Sequence, residues 1–380
     1  MIELLSPAGD KERLKWALIY GADAVYLGGY KYSLRANATN FSIEDIKQSV
    51  LFAHSIHKKI YITVNILMHE KDTEELDQYL IELNEAKVDA IIVSDYAVIS
   101  AVKRLELDLE IHLSTQESTT NFKTAQFYKD LGVNRIVLAR ECTLKDILDI
   151  KKNTDIELEV FIHGAMCTSY SGKCVLSNYI TKRDSNRGGC AQVCRFNFDI
   201  KENQPFSIAS KDLCMADSLR ELISSNVDSL KIEGRMRSIY YIATVVDAYR
   251  HLIDKISSSS LDDATLEYYT KVLFRVANRE STHQFFMGDI GVKDQYYTGR
   301  EEISNQDFLG IVLSYNEQTN IALIEQRNYF EVGDKIEIFG PNMDAKELVV
   351  HTILDQMNNS VEAARHPREV IKLIIPFVVK

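Results

Sequence analysis

The chain predicts a parallel α/β barrel of the TIM type, (β/α)8, carrying a long cysteine-bearing insertion and followed by a small C-terminal β-barrel-like domain. Three observations carry this. Short apolar runs alternate with helical patterns eight times. The runs are nearly continuous rather than alternating, as in strands covered on both faces. Polar residues recur just past the runs, where such a barrel gathers its active site. An open doubly wound sheet is the runner-up. No glycine fingerprint opens a strand-to-helix turn, so no dinucleotide site is predicted.

Residues 2–7 lead into DKERLKWALIYG, with Asp10 as N-cap and Gly21 closing the helix. Residues 22–29 precede a loop and then SIEDIKQSVLFAHSIHKK. Residues 60–67, 88–95, 109–115 and 134–140 each precede a further helical pattern, and 156–164 run into the cysteine stretch. The eighth run, 228–234, is followed by YYIATVVDAYRHLID, which closes the barrel near residue 255. The rim then reads Asn65, Asp95, His112, Thr115, Gln116, Arg140, Glu141, His163, Glu233 and Arg235. Any one of these is commonly a turn or cap residue. Their recurrence on one rim carries more weight.

The expected domains are a barrel over 1–255 with its insertion at 164–205, a helical linker at 256–285, and a β-rich domain at 286–380. In the last, residues 316–320 form a turn between two alternating strands. VGDKIEIFGP reads as a turn and strand like those of small barrels appended to translation factors, and REVIKLIIPFVVK as a final strand.

A net charge of −11 argues against general nucleic-acid binding, although a local basic patch can still hold one specific RNA. The N-terminus lacks a signal-peptide pattern, and no apolar run reaches the roughly 18 residues of a membrane span. The expectation is therefore a cytoplasmic protein with no membrane partner. There disulfides are rare, and clustered cysteines bind metal or do redox chemistry.

Residues 161–195 hold four of the six cysteines: Cys167, Cys174, Cys190 and Cys194, with six, fifteen and three residues between them. The stretch is rich in glycine and locally basic, with Lys173, Lys182, Arg183, Arg187 and Arg195 against Asp184. Four thiolates suit either tetrahedral zinc or an iron–sulfur cluster. Zinc knuckles place about two to four residues between paired ligands, and only Cys190–Cys194 meets that. The irregular gaps favour a cluster, with zinc, a redox pair and plain structural cysteines left open. Cys142 and Cys214 stand apart and read as small buried hydrophobes. Cys214 is the substitute should one of the four not be a ligand.

EVFIHGAMCTSYSGKCVLSNY, RDSNRGGCAQVCR and SLKIEGRMRS resemble the signature segments of peptidase family U32, long labelled collagenase-like. LLSPAGD, ADAVYLGG, RANATNFS and EQRNYFEVGDKIEIFGP extend the resemblance over nearly the whole chain. The branch it is most similar to modifies tRNA. That resemblance implies an oxygen-independent hydroxylase making 5-hydroxyuridine at the wobble position. It implies a 4Fe–4S cluster on Cys167, Cys174, Cys190 and Cys194, with prephenate as hydroxyl donor. Cys194 is the position at which relatives vary. Other branches imply rRNA or a small molecule as substrate, and the old label implies a peptidase.

Within such chemistry Arg140, Arg235 and the basic loop would hold phosphate or a small anionic donor. His112 and His163 would act as acid/base groups, oriented by Glu159 and Glu233. A solvated face is the alternative for the loop charges, and a satisfied core position for either histidine. Neither an HExxH helix nor a GxSxG elbow supports a protease. The oligomeric state is not legible in the sequence.

Overall fold

In the computed structural model, residues 2–34, 40–199, 205–277, 279–296, 307–341 and 343–379 are described. Residues 35–39 of the RANATNFS segment and 200–204 of the predicted insertion lie outside them. The chain divides into two units, Met1–Glu302 and Ile303–Lys380.

Each predicted apolar run forms a strand. They are β1 (Glu3–Pro7), β2 (Ala24–Gly28), β3 (Lys59–Val64), β4 (Ala90–Val93), β5 (Glu110–Leu113), β6 (Arg135–Val137), β7 (Glu157–Gly164) and β8 (Ser229–Ile232). Neighbours pair in parallel from β1 to β7, and β8 pairs with both β7 and β1, so the barrel is closed. Leu5, Ala24, Tyr26, Tyr61, Ala90 and Ile92 form a buried cluster contributed by four consecutive strands. Local signals set the helix starts. Asp10 accepts the Arg13 N–H at 2.8 Å, and capping boxes at Ser42 and Thr143 start two later helices. Gly21 follows the first helix at φ 108°.

Two features depart from the expected layout. A short strand, Asp212–Cys214, runs antiparallel to the end of β7 and pairs in parallel with Ser281–Thr282. The segment expected as a linker is instead part of the first unit. Its helix Asp263–Ala277 packs on the closing helix Ile239–Ser257, burying Tyr269, Leu273 and Val276. An amphipathic helix of this length gains more from burying that stripe than from spanning a gap.

In the second unit, strands Gly310–Asn316, Ile321–Gln326 and Val370–Ile374 form an antiparallel sheet with two shorter strands. Asn320 takes a left-handed conformation in the first turn. Ile324, Phe330, Ile336, Ile353, Ile371 and Leu373 fill its own core. Among the described residues no helix is long and apolar enough to cross a membrane.

Candidate active site

A cavity of about 590 Å³ opens where the barrel strands end. Tyr26, Ile92, Phe161 and Lys231 reach it from the strands, and the insertion after β7 supplies one wall. Gly164 lets the chain leave the barrel. Its φ is +109°, and a Cβ there would lie 2.5 Å from the Glu233 carbonyl oxygen.

All four clustered cysteines line this cavity. Their loop is fastened at several points. Ser171 donates its N–H and hydroxyl to Glu141 at 2.7 and 2.8 Å. Asn186 accepts the Cys174 N–H at 3.2 Å and donates to the Cys174 carbonyl at 3.0 Å. Arg187 grips both carboxylate oxygens of Asp72, at 2.6 and 2.8 Å, and the Leu67 carbonyl at 2.7 Å. Leu67 returns its N–H to Asn186. The Arg187 hydrogen bond holds the Asp72 carboxyl down at about 2. Arg187 is thus a structural buckle, which removes it from the expected set of phosphate-binding groups.

Backbone N–H groups of Leu176 and Gln192 point at the sulfurs of Cys174 and Cys190, each at 3.4 Å. Such contacts stabilise and tune thiolates bound to metal. Burial first, and then the neighbouring Cys167, push the Cys194 thiol up, with Cys190 and Cys174 adding to the effect. A cationic centre among the sulfurs would reverse that cost. Among the described residues no three Cys, His, Asp or Glu side chains meet tightly enough for a single metal ion. Zinc needs its thiolates about 2.3 Å from one point, whereas a cluster takes each thiolate on a separate iron and tolerates wider spacing. Four thiols lining one cavity are the donor type that holds an iron–sulfur cluster.

Cys214 is not with them. It is buried on the short antiparallel strand, 3.7 Å from the Tyr249 hydroxyl, and burial raises its thiol. Cys142 is buried against the Thr119 carbonyl, its thiol pushed up to about 12. Both are core residues.

The rest of the cavity is cationic. Arg140, Arg195, Lys231, Arg235, Arg237 and Arg279 line it, against the carboxylates of Glu141 and Glu233. Such a lining selects an anion. Arg140 stacks 3.8 Å from the centre of the Phe161 ring and donates to the Ala165 carbonyl. Arg235 donates to Ser33 at 2.7 Å and lies so close over Gly28 that a Cβ there would stand 2.2 Å from its Nη2. Glu233 accepts the Tyr26 hydroxyl at 3.1 Å. These three predicted residues are in the cavity. Asn65 and Gln116 also line it, bonded to each other at 3.1 Å. Asp95 caps a helix through the Ala97 N–H.

Neither histidine is in the cavity, and both expectations are corrected. His163 lies on β7 beside a bulge: β8 pairs Lys231 with Phe161 but Ile232 with His163, so Ile162 is an extra residue. One extra residue flips the next side chain to the other face. His163 therefore packs against Tyr249 (Nδ1 to hydroxyl, 3.3 Å) and Tyr241 of the closing helix. Burial, aided by Arg237, lowers its pKa to about 3, so it is neutral at working pH. His112 is fully buried with its ring against Tyr61, 3.5 Å from Glu110, and burial lowers its pKa too. Its surroundings form a charge network within the barrel. Arg135 pairs with Glu3 (2.5 Å), Glu157 (2.8 Å) and Glu159 (3.4 Å), and Lys231 pairs with Glu159 at 2.6 Å. Glu159 is thus a structural ion-pair partner and does not orient a catalytic histidine.

Sequence reasoning did not single out Lys231, Arg237 and Arg279. The first two sit in SLKIEGRMRS, where Lys231 within the eighth strand and Arg235 and Arg237 just past it were a usable signal. Arg279 arrives from beyond the helix Asp263–Ala277 and shares the Asp212 carboxylate with Arg237, at 3.4 and 3.2 Å. Nothing local in the sequence marks it.

Family models match both units: peptidase family U32 over residues 9–296, and the U32 C-terminal domain over 304–380. A tRNA hydroxylation protein P1 of Bacillus subtilis is 44% identical over 97% of this chain and 91% of its own length. A 23S rRNA 5-hydroxycytidine synthase of Escherichia coli is 37% identical over 77% of this chain and 47% of its own. A collagenase of Porphyromonas gingivalis is 28% identical over 89% and 86%.

Proposed function

The chain belongs to peptidase family U32, and from that premise we propose that it is an oxygen-independent RNA hydroxylase forming 5-hydroxyuridine at the tRNA wobble position. The observation that carries the reading is four thiols on the wall of one cationic cavity. The similarity to a tRNA hydroxylation protein along most of both chains supports the choice of substrate.

Cys167, Cys174, Cys190 and Cys194 would hold a 4Fe–4S cluster. When bound, the cluster supplies electron transfer and an iron centre beside the substrate. Arg195, Arg237 and Arg279 would receive the carboxylates of a small anionic donor such as prephenate, or a phosphate of the RNA. Arg235 and Lys231 add positive charge deeper in the cavity, and Glu233 is the carboxylate placed to accept a proton from substrate.

The peptidase reading finds little here. No histidine lines the cavity among the described residues, so no cysteine or serine there has an imidazole base. Nucleoside mass spectrometry of tRNA from a strain lacking the protein tests the proposal. Loss of hydroxyuridine derivatives is expected. Unaltered tRNA with loss of hydroxycytidine in rRNA would move the substrate to ribosomal RNA.

A further inference from the structure

The short helix Leu176–Thr181 places Leu176 and Ser177 in the cavity wall. Its other side is left to solvent. Tyr179 is 82% exposed, Ile180 is 51% exposed, and Val175, just ahead of the helix, is 52% exposed. Three large apolar side chains standing open on so short a segment form a patch of the kind that marks a contact surface.

The chain then turns in the left-handed conformation at Lys182, and both Lys182 and Arg183 are exposed. Their basic neighbours are committed: Lys173 to Glu117 at 3.1 Å, and Arg187 to Asp72. Lys182 and Arg183 have no ion-pair partner among the described residues. Two uncompensated cations beside an open tyrosine ring, in a chain of net charge −11, complement a polyanion with flat faces.

We propose that Tyr179, Lys182 and Arg183 form the edge on which single-stranded RNA docks. Tyr179 stacks on a base neighbouring the one that enters the cavity, and the two cations hold the flanking phosphates. Tyr179 lies within one helical turn, about 5.4 Å of rise, of the cavity-lining Leu176 and Ser177. Docking there therefore brings the next nucleotide to the cavity mouth. The inference rests on the RNA-modifying reading above and adds the surface through which the RNA arrives.

The test is fluorescence anisotropy on the full, iron-loaded chain. The probes are a labelled RNA hairpin with a uridine-containing single-stranded loop and a fully paired RNA duplex. The wild type should prefer the hairpin. Tyr179→Ala should weaken hairpin binding about tenfold or more, while Tyr179→Phe keeps it, because the stacking face is retained. Lys182→Gln combined with Arg183→Gln should lower the slope of log Kd against log salt by roughly 1.4, about 0.7 for each lost phosphate contact. Circular dichroism and iron content should be unchanged in all variants. Wild-type hairpin binding that neither Tyr179→Ala nor the double variant alters overturns this edge and leaves the RNA reading standing. Failure of the wild type to bind either RNA overturns both. A change in sedimentation of Tyr179→Ala with RNA affinity intact would make the patch a self-association surface and end the proposal.

Discussion

The two ends of the barrel interior hold similar residues in opposite states. Towards the start of the strands, Glu3, Arg135, Glu157 and Glu159 form a closed set. Arg135 meets three carboxylates, and Tyr61 and Ser229 donate to Glu3 at 2.6 and 2.8 Å. Burial opposes ionisation of Glu159, yet Lys231 and Arg135 outweigh it and hold its carboxyl below the usual range. At the other end six cations face a cavity with two carboxylates, and four thiols crowd one wall. Charge neutralised inside the barrel is architecture, whereas cations that outnumber the carboxylates around an open space suit an incoming anion. Lys231 belongs to both ends, paired to Glu159 below and facing the cavity above.

The contrast is broken most severely at the thiols. Cys174→Ser should leave three ligands, abolish hydroxylation and lower iron content, read by metal analysis of anaerobically purified protein. Unchanged iron would refute the ligand assignment. Next comes the closed network. Arg135→Met removes the cation from Glu3 and leaves Glu159 with Lys231 alone, and should cost about 3–5 kcal/mol of unfolding free energy, measured by denaturant titration.

Arg195 at the open end should behave in reverse. Arg195→Ala should change stability by about 1 kcal/mol or less, while KM for the anionic donor rises roughly tenfold. Equal destabilisation of both arginine variants would erase the distinction between the two ends.

A further contrast is a pH dependence at His163, which lies behind the rim and outside the cavity. Its folded pKa of about 3 is below the unfolded value near 6.5, so the unfolded chain binds more protons. Its contribution to stability is therefore complete above pH 6.5 and declines as pH falls towards 3, by up to about 1.4 kcal/mol per unit. His163→Gln should flatten that decline in melting temperature against pH. An unaltered slope would remove His163 as its source.

Most of the barrel was legible because strand and helix periods are local properties of the chain. The four cysteines were legible because they bunch within one glycine-rich stretch, 161–195, while the other two stand apart. Arg140, Glu233 and Arg235 followed from the rule that residues past strand ends face the site. His163 obeyed the same rule on paper and missed the cavity through the single extra residue at Ile162, since alternation counted from sequence cannot register a bulge. His112 failed because a buried charge network assembles from strands far apart in sequence. Arg279 was hidden for a similar reason. It reaches the cavity only because the helix before it folds back onto the closing helix, a packing outcome with no local signature.

The buckle of Asn186 and Arg187 onto Leu67 and Asp72 ties one wall of the cavity to the segment after β3. Hydrogen bonding by Arg187 keeps the Asp72 carboxyl ionised down to about pH 2, so mild acid leaves the clasp shut and the thiols on their wall.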